Sequence, residues 1–237
     1  GPAGAACAIT AARAGLKTAL VDKARFPRDK LCGGGLTGRA IKHHARIFGR
    51  ALPDAPVEVR RSFEFHAFGT DLGAASDAPP LHLTMRTDLD AALVRDAVAA
   101  GAQDFTGCNG AVDVQAPAVQ VGNCTLHAPV VVAADGVNSP TARTLFGAAF
   151  DRSQIGFALE VEQPDVTDTT ALRIDFGAAE WGYGWQFPKP CGTTIGVGGV
   201  MARNADMKAA LRAYLAKLDI RNPAKVKGQF LPFGAFR

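Results

Sequence analysis

Residues able to do chemistry gather in three stretches of this sequence. The chain opens Gly1-Pro2-Ala3-Gly4, and Asp22 follows Gly4 at close to the offset of about 20 residues that separates glycines from acid in a dinucleotide-binding turn. In the G-x-G-x-x-G pattern the second glycine lets the backbone approach a pyrophosphate and the third lets the helix pack closely. An acid at the end of the next strand then holds ribose hydroxyls. Gly1 and Gly4 correspond to those two glycines and Asp22 to the acid. The first glycine and the strand before it are absent, so the chain is expected to begin inside the motif. The second stretch is 24–37 (ARFPRDKLCGGGLT), where Arg28 and Lys30 could balance phosphate charge, Cys32 carries a thiol, and Gly33 to Gly35 leave the backbone free to lie against a flat ligand. The third is Trp181-Gly182-Tyr183-Gly184-Trp185-Gln186-Phe187-Pro188, which holds both tryptophans of the chain.

Each stretch has a plainer reading beside the chemical one. Small-residue helices led by Gly-Pro occur for packing alone, a glycine-rich loop can be a flexible surface segment, and Cys32 can be a buried structural thiol. Alternation puts Trp181, Tyr183, Trp185 and Phe187 on one face of a strand, as a core ridge or as the wall of an apolar pocket.

The elements that would position these residues are readable in outline. The pattern predicts a helix over 2–14 stopped by Gly15, then a buried strand over 16–21 closing on Asp22. The glycine loop is expected to hold neither helix nor strand. A helix over 37–49 follows, capped by Thr37, with His43 and His44 read as a solvated pair because adjacent positions cannot share a metal in the i, i+4 manner. Strands are expected over 57–68 and 81–85, then a helix from Thr87 or Asp88 to Gly101. Arg86 stands at its start, suited to a phosphate contact or to pairing with Asp88 or Asp90. Residues 129–134 (PVVVAA) read as a buried parallel strand delivering Asp135 to a ligand cleft, and 138–146 as a short helix. From about residue 154 four strands (155–161, 171–176, 181–187, 193–200), an amphipathic helix (204–218) and a last strand (225–233) suggest an antiparallel sheet able to wall a cavity.

Composition narrows the function classes. With 237 residues and 48% hydrophobic content there is room for one large domain or two small ones with a buried core. The net charge of +4 is spread along the chain rather than gathered in a basic stripe, which argues against nucleic acid. No apolar run reaches the length of a membrane span. The five cysteines are scattered, without C-x-x-C spacing, and predict free thiols in a reducing, cytoplasmic setting and no metal site.

Taken in order, the segments resemble the geranylgeranyl reductase family of FAD-dependent oxidoreductases, relatives of the aromatic hydroxylases. Gly1-Pro2-Ala3-Gly4 matches the family's G-P-A-G turn, and Pro27-Arg28-Asp29-Lys30-Leu31-Cys32-Gly33-Gly34 its P-R-x-K-x-C-G-G loop. Arg86-Thr87-Asp88-Leu89-Asp90 is similar to its Arg-x-x-Leu/Phe-Asp step, and Asp135-Gly136-Val137-Asn138-Ser139 to its D-G-x-x-S segment. The Tyr-x-Trp-x-Phe-Pro substrate motif matches Tyr183, Trp185, Phe187 and Pro188. Glu180 stands where some members carry proline.

The resemblance implies an α/β fold. An FAD-binding, Rossmann-like domain of the aromatic-hydroxylase type is expected at 1–56 and 86–153, and an antiparallel-sheet substrate domain at 57–85 and 154–237. The first strand and the C-terminal part, including a later G-D-A-A segment, are expected to be missing. It implies FAD held by Gly1, Ala3, Gly4, Asp22, Lys23, Arg28, Cys32, Gly33, Gly35, Arg86 and Asp135. Tyr183, Trp185, Phe187 and Pro188 would hold the substrate, with Cys32 as a proton donor. The implied reaction is saturation of isoprenoid carbon–carbon double bonds, with NAD(P)H or another reductant recharging the flavin. A flavin monooxygenase or halogenase, or a piece that retains no flavin, are the alternatives. A lipophilic substrate would bring the protein to a membrane surface, although no amphipathic anchor is evident.

Overall fold

The computed structural model describes residues 1–164, 166 and 171–233. Along the chain the elements are α1 (Pro2–Arg13), β1 (Ala19–Asp22), β2 (Gly35–Leu36), α2 (Gly38–Phe48), β3 (Glu58–Arg60), β4 (Phe63–Ala67), β5 (Thr70–Ala75), β6 (Leu81–Leu83), α3 (Arg86–Ala99), β7 (Gln103–Thr106), β8 (Gly110–Asp113), β9 (Ala118–Val121), β10 (Cys124–His127), α4 (Pro140–Phe146), β11 (Gly156–Gln163), β12 (Leu172–Phe176), β13 (Gly182–Lys189), β14 (Gly192–Val200), α5 (Met207–Lys217) and β15 (Lys227–Leu231). They fall into two compact units. One comprises Gly1–Lys30, Ala40–Ala55 and Arg86–Ala149; the other comprises Leu31–Arg39, Pro56–Met85 and the residues from Phe150 onward. The glycine loop thus divides after Lys30.

In the first unit α1 begins on a proline, whose missing N–H is one that a helix start leaves unpaired anyway. Alanines carry it to Gly15, which takes the left-handed conformation (φ +78°) that ends helices. Ala5, Ala8 and Ile9 of α1 are buried, as are Leu89, Ala92, Leu93 and Ala97 of α3, which packs against it. β1 pairs in parallel with β7, from Ala19 opposite Gln103 to Asp22 opposite Thr106. An antiparallel meander of β8, β9 and β10 follows.

Two sequence expectations fail in this unit. Residues 129–134 form no ladder with any described strand, and Val130 and Val132 are 72% and 59% exposed. An apolar run is not enough for a strand, because its backbone groups need partners. Of the histidine pair, only His43 is exposed; His44 is buried, stacked on Phe48 at 4.9 Å with Nδ1 2.9 Å from the Arg50 carbonyl. The i, i+4 spacing that rules out a shared metal for neighbours is what brings this ring onto Phe48.

The second unit is built on a seven-stranded sheet in the order β15-β11-β14-β13-β12-β4-β5, antiparallel except where β12 meets β4. A smaller antiparallel sheet holds β2, β6 and β3, so the glycine loop does contribute a short strand. Alternation gives the large sheet two faces. Leu159, Val161, Ile195 and Val197 pack on Met207, Leu211, Tyr214 and Leu215 of α5, each large apolar side chain contributing roughly 1.5–3 kcal/mol on burial. Gly184 lets this helix seat, since a Cβ there would stand 2.7 Å from the Tyr214 ring. Asp175 is buried among the Tyr214 hydroxyl (2.8 Å), Lys217 Nζ (2.6 Å) and Arg173 Nε (2.6 Å). Among the described residues no helix is long and apolar enough to cross a membrane.

Candidate cofactor and substrate sites

The first unit gathers charge around the start of α1. The first amides of a helix have no partner within it and attract anions, and among the described residues no side chain caps α1. The strand end delivers Asp22 there: its Oδ2 lies 3.7 Å from the Gly1 nitrogen, while Oδ1 accepts the Ala24 N–H at 2.9 Å. Two guanidinium groups stand beside them, because a Cβ on Gly1 would lie 3.7 Å from Arg28 Nη2 and 3.8 Å from Arg86 Nη2. Both arginines are tethered by the fully buried Asp90, Arg28 Nη2 at 2.9 Å and Arg86 through Nε and Nη2 at 2.8 Å each. Arg86 therefore pairs inside the protein, not on its surface. Two carboxylates, Asp22 and Asp90, match the two guanidiniums in number, and among the described residues Arg28 Nη1 is buried with no hydrogen-bond partner, which leaves a charged donor at an anion-attracting helix start.

The other expected cofactor residues of this unit fare unevenly. Gly4 packs against the segment before Asp135, a Cβ there lying 3.5 Å from Ala134 Cβ. Ala3 and Lys23 are exposed, one in the first turn of α1 and the other just after Asp22. Asp135 serves the start of α4, where its Oδ2 accepts the Thr141 N–H at 3.2 Å beside the capping Ser139.

In the second unit the rest of the glycine loop lies hard against the sheet, which accounts for its composition. A Cβ on Gly33 would stand 2.9 Å from the Phe187 ring, and one on Gly34 (φ +69°) 2.0 Å from the Thr84 carbonyl oxygen. Gly35 pairs with Leu83. Cys32 donates its N–H to Glu160 Oε1 at 3.0 Å, and its Sγ accepts the Gly34 N–H at 3.4 Å.

β13 carries the aromatic row as Tyr183, Trp185 and Phe187, with ring centroids 5.8 and 6.1 Å apart. Trp185 is buried, Tyr183 partly open. Trp181 is not in the row. It precedes the strand with φ +50°, is 74% exposed, and lies under the Arg203 guanidinium at 5.6 Å. Pro188 also departs from expectation: it is fully buried and, by alternation, belongs to the face of β13 that Gly184 presents to α5, away from the aromatic rings.

The register brings to the aromatic face two residues that sequence reasoning passed over. Glu160 of β11 pairs with Gly196 of β14, which pairs in turn with Trp185 of β13. Gly196 is required there, since a Cβ would stand 2.4 Å from the indole. Glu160 is fully buried, and burial pushes its carboxyl up to about 7 against the opposing pull of the Cys32 N–H and Lys189. Lys189, from the end of β13, is buried with Nζ 3.4 Å from the Thr84 carbonyl, and its pKa is lowered by burial. The one signal in sequence was an acid inside the otherwise apolar alternation of 155–161. Among the described residues no cluster of His, Cys, Asp or Glu could hold a metal.

No family model matches the chain. It is 33% identical over 238 residues to a protein named menaquinone reductase from Mycolicibacterium smegmatis, covering 91% of this chain and 57% of the relative. Among solved structures it superimposes, with TM-score 0.79 and 20% identity, on a geranylgeranyl bacteriochlorophyll reductase-like protein from Thermoplasma acidophilum, over 98% of this chain and 64% of that one. A flavin-dependent brominase matches with TM-score 0.72 and 18% identity, over 97% of this chain and 65% of the brominase. The fold is that of the FAD-binding flavoprotein oxidoreductases. The chain spans about three-fifths of the length of the curated relatives it matches.

Proposed function

We propose that the protein is an FAD-dependent oxidoreductase that saturates carbon–carbon double bonds in the isoprenoid chain of a prenylated quinone. The convergence of the α1 start, Asp22, Arg28 and Arg86 carries the cofactor half of this reading. These residues fit a dinucleotide. The Gly1 nitrogen and the amides of Ala3 and Gly4 would meet a diphosphate, Asp22 would accept from ribose hydroxyls, and the two arginines would offset phosphate charge. Arg28 Nη1, buried without a partner among the described residues, has a donor to spare for such an anion. Lys23 and Asp135 would take part from the edges. Bound flavin, recharged by NAD(P)H or another reductant, would supply the hydride equivalent.

The substrate half rests on the aromatic face and on the relative named menaquinone reductase. A menaquinone joins a quinone ring to an isoprenoid chain. Tyr183, Trp185 and Phe187 give such a chain an apolar surface on which it can be aligned and kept dry, which an isolated alkene needs because it is a poor hydride acceptor. A lipophilic substrate of this kind places the encounter at a membrane surface.

Reduction of the quinone ring itself is the second reading, favoured by the same relative's name. Mass spectrometry of the lipid after reaction and re-oxidation in air separates the two. A reduced ring returns to its starting mass, whereas a saturated bond keeps two added hydrogens. Retention of the added hydrogens is the expected result. A product carrying oxygen or halogen would point instead to the monooxygenase and halogenase chemistry, one form of which the brominase represents.

A further inference from the structure

We propose that Glu160 is the acid that delivers the proton when the substrate double bond is reduced, a role that rests on the reading of the protein as an alkene-saturating oxidoreductase. The residue sits mid-strand on the sheet face that carries the aromatic rings, in line with Gly196 and Trp185 across β14 and β13. It is fully buried. Its Oε1 is held by the Cys32 N–H, and its Oε2 is buried with no hydrogen-bond partner among the described residues. Protonated, Oε2 is a donor with nothing to receive its hydrogen; ionised, it is a charge with one hydrogen bond. Neither state is satisfied by the described residues alone, which is the condition of a group built to meet a ligand atom.

The surrounding charges leave that proton available. Lys189 faces Glu160 from β13, yet its ammonium donates to the Thr84 carbonyl at 3.4 Å. Glu162, on the same strand, is paired with Lys227 of β15 at 3.1 Å. The Cys32 thiol lies in the loop above, and its sulfur already accepts the Gly34 N–H. Burial outweighs the attraction of Lys189 and Lys227 and holds the carboxyl at about 7, so both protonation states are accessible near neutral pH. The Oε2 proton forms one new C–H bond as the alkene π bond breaks, while a bound, reduced flavin would supply the hydride equivalent for the other carbon and be oxidised by it. The carboxylate left on Glu160 then recovers its proton from water. Cys32 then orients the acid through its backbone instead of supplying the proton.

Glu160→Gln keeps the shape and the acceptor for the Cys32 N–H but has no acid proton. Infrared titration of the protein without flavin or substrate reads the acid directly: a protonated-carboxyl band should disappear with a midpoint near pH 7 and be missing from E160Q. In the flavin-loaded enzyme, the wild-type saturation rate should fall as pH rises through the same midpoint. E160Q should saturate about 100- to 10,000-fold more slowly while flavin reduction and substrate affinity hold. Tryptophan fluorescence matching wild type establishes that the variant is folded. A titrating band that persists in E160Q, or saturation by E160Q within a few-fold of wild type, overturns the proposal alone. Wild-type product without added chain hydrogens overturns the reading of the reaction, and this role with it.

Discussion

Glu160→Gln should remove a large pH-dependent component from the stability of the second unit. The carboxyl titrates at 4.5 in the ordinary case and at about 7 in the fold. Below pH 4.5 it is neutral in both folded and unfolded chains, and the fold keeps its full advantage. As pH rises toward about 7 the unfolded chain ionises while the fold holds the proton, so the advantage drains away until the buried group ionises as well. At ~1.4 kcal/mol per pH unit the difference amounts to ~3 kcal/mol, and full burial leaves little solvent screening to reduce it. The assay is urea unfolding of wild type and E160Q from pH 5 to 8.5, followed by tryptophan fluorescence; both tryptophans, Trp181 and Trp185, lie in the second unit. The stability difference between the proteins should move in favour of E160Q by ~2–3 kcal/mol across that range. A difference constant to within ~0.5 kcal/mol would refute the reasoning, because it would mean that Glu160 is ionised, or solvated, in the folded state.

Three other changes test separate parts of the account. Gly196→Ala places a methyl 2.4 Å from the Trp185 ring and 2.6 Å from the Leu159 carbonyl oxygen, so unfolding stability should drop by ~1–3 kcal/mol with altered Trp185 fluorescence. Wild-type stability and spectrum would contradict the packing described. Asp90→Ala strips Arg28 and Arg86 of their shared buried carboxylate and should cost ~3–5 kcal/mol, read by circular dichroism during unfolding; a loss below ~1 kcal/mol would mean that water replaces the pair freely. Asp22→Ala should weaken FAD binding at least about tenfold, measured by quenching of flavin fluorescence, since a hydrogen bond to a charged group is worth ~1.5–3 kcal/mol. An unchanged affinity would remove Asp22 from the site.

The opening helix, its glycine stop and the strand ending on Asp22 were legible because their signals are local: a proline at the first helical position, an alanine run, a left-handed glycine and a short apolar stretch. The strands β11 to β14 were legible for a similar reason, each being an alternating run bounded by turn residues. What escaped depends on pairing between distant segments. Residues 129–134 have the composition of a buried strand, but strand formation needs a neighbour that composition does not report. Alternation along β13 separates Trp185 from Pro188 without telling which face meets α5, and the carry-over of a motif by residue type put both in one site. Trp181 fits the same alternation, yet the chain turns through a positive φ there and the row starts two residues later. Glu160 becomes visible as a site residue only when β11, β14 and β13 are laid in register. The need for glycine at 33 and 34 appears only once Phe187 and Thr84 are seen against them.

Calorimetric titration of the protein with FAD, and separately with FMN, addresses the central claim most directly, because the two flavins share a ring and differ in the adenylate half that the α1 start, Asp22 and the paired arginines are proposed to read. FAD should bind stoichiometrically, and FMN more weakly by at least ~1.4 kcal/mol, a factor of about ten. Equal affinity for the two, or no binding of either, would contradict it.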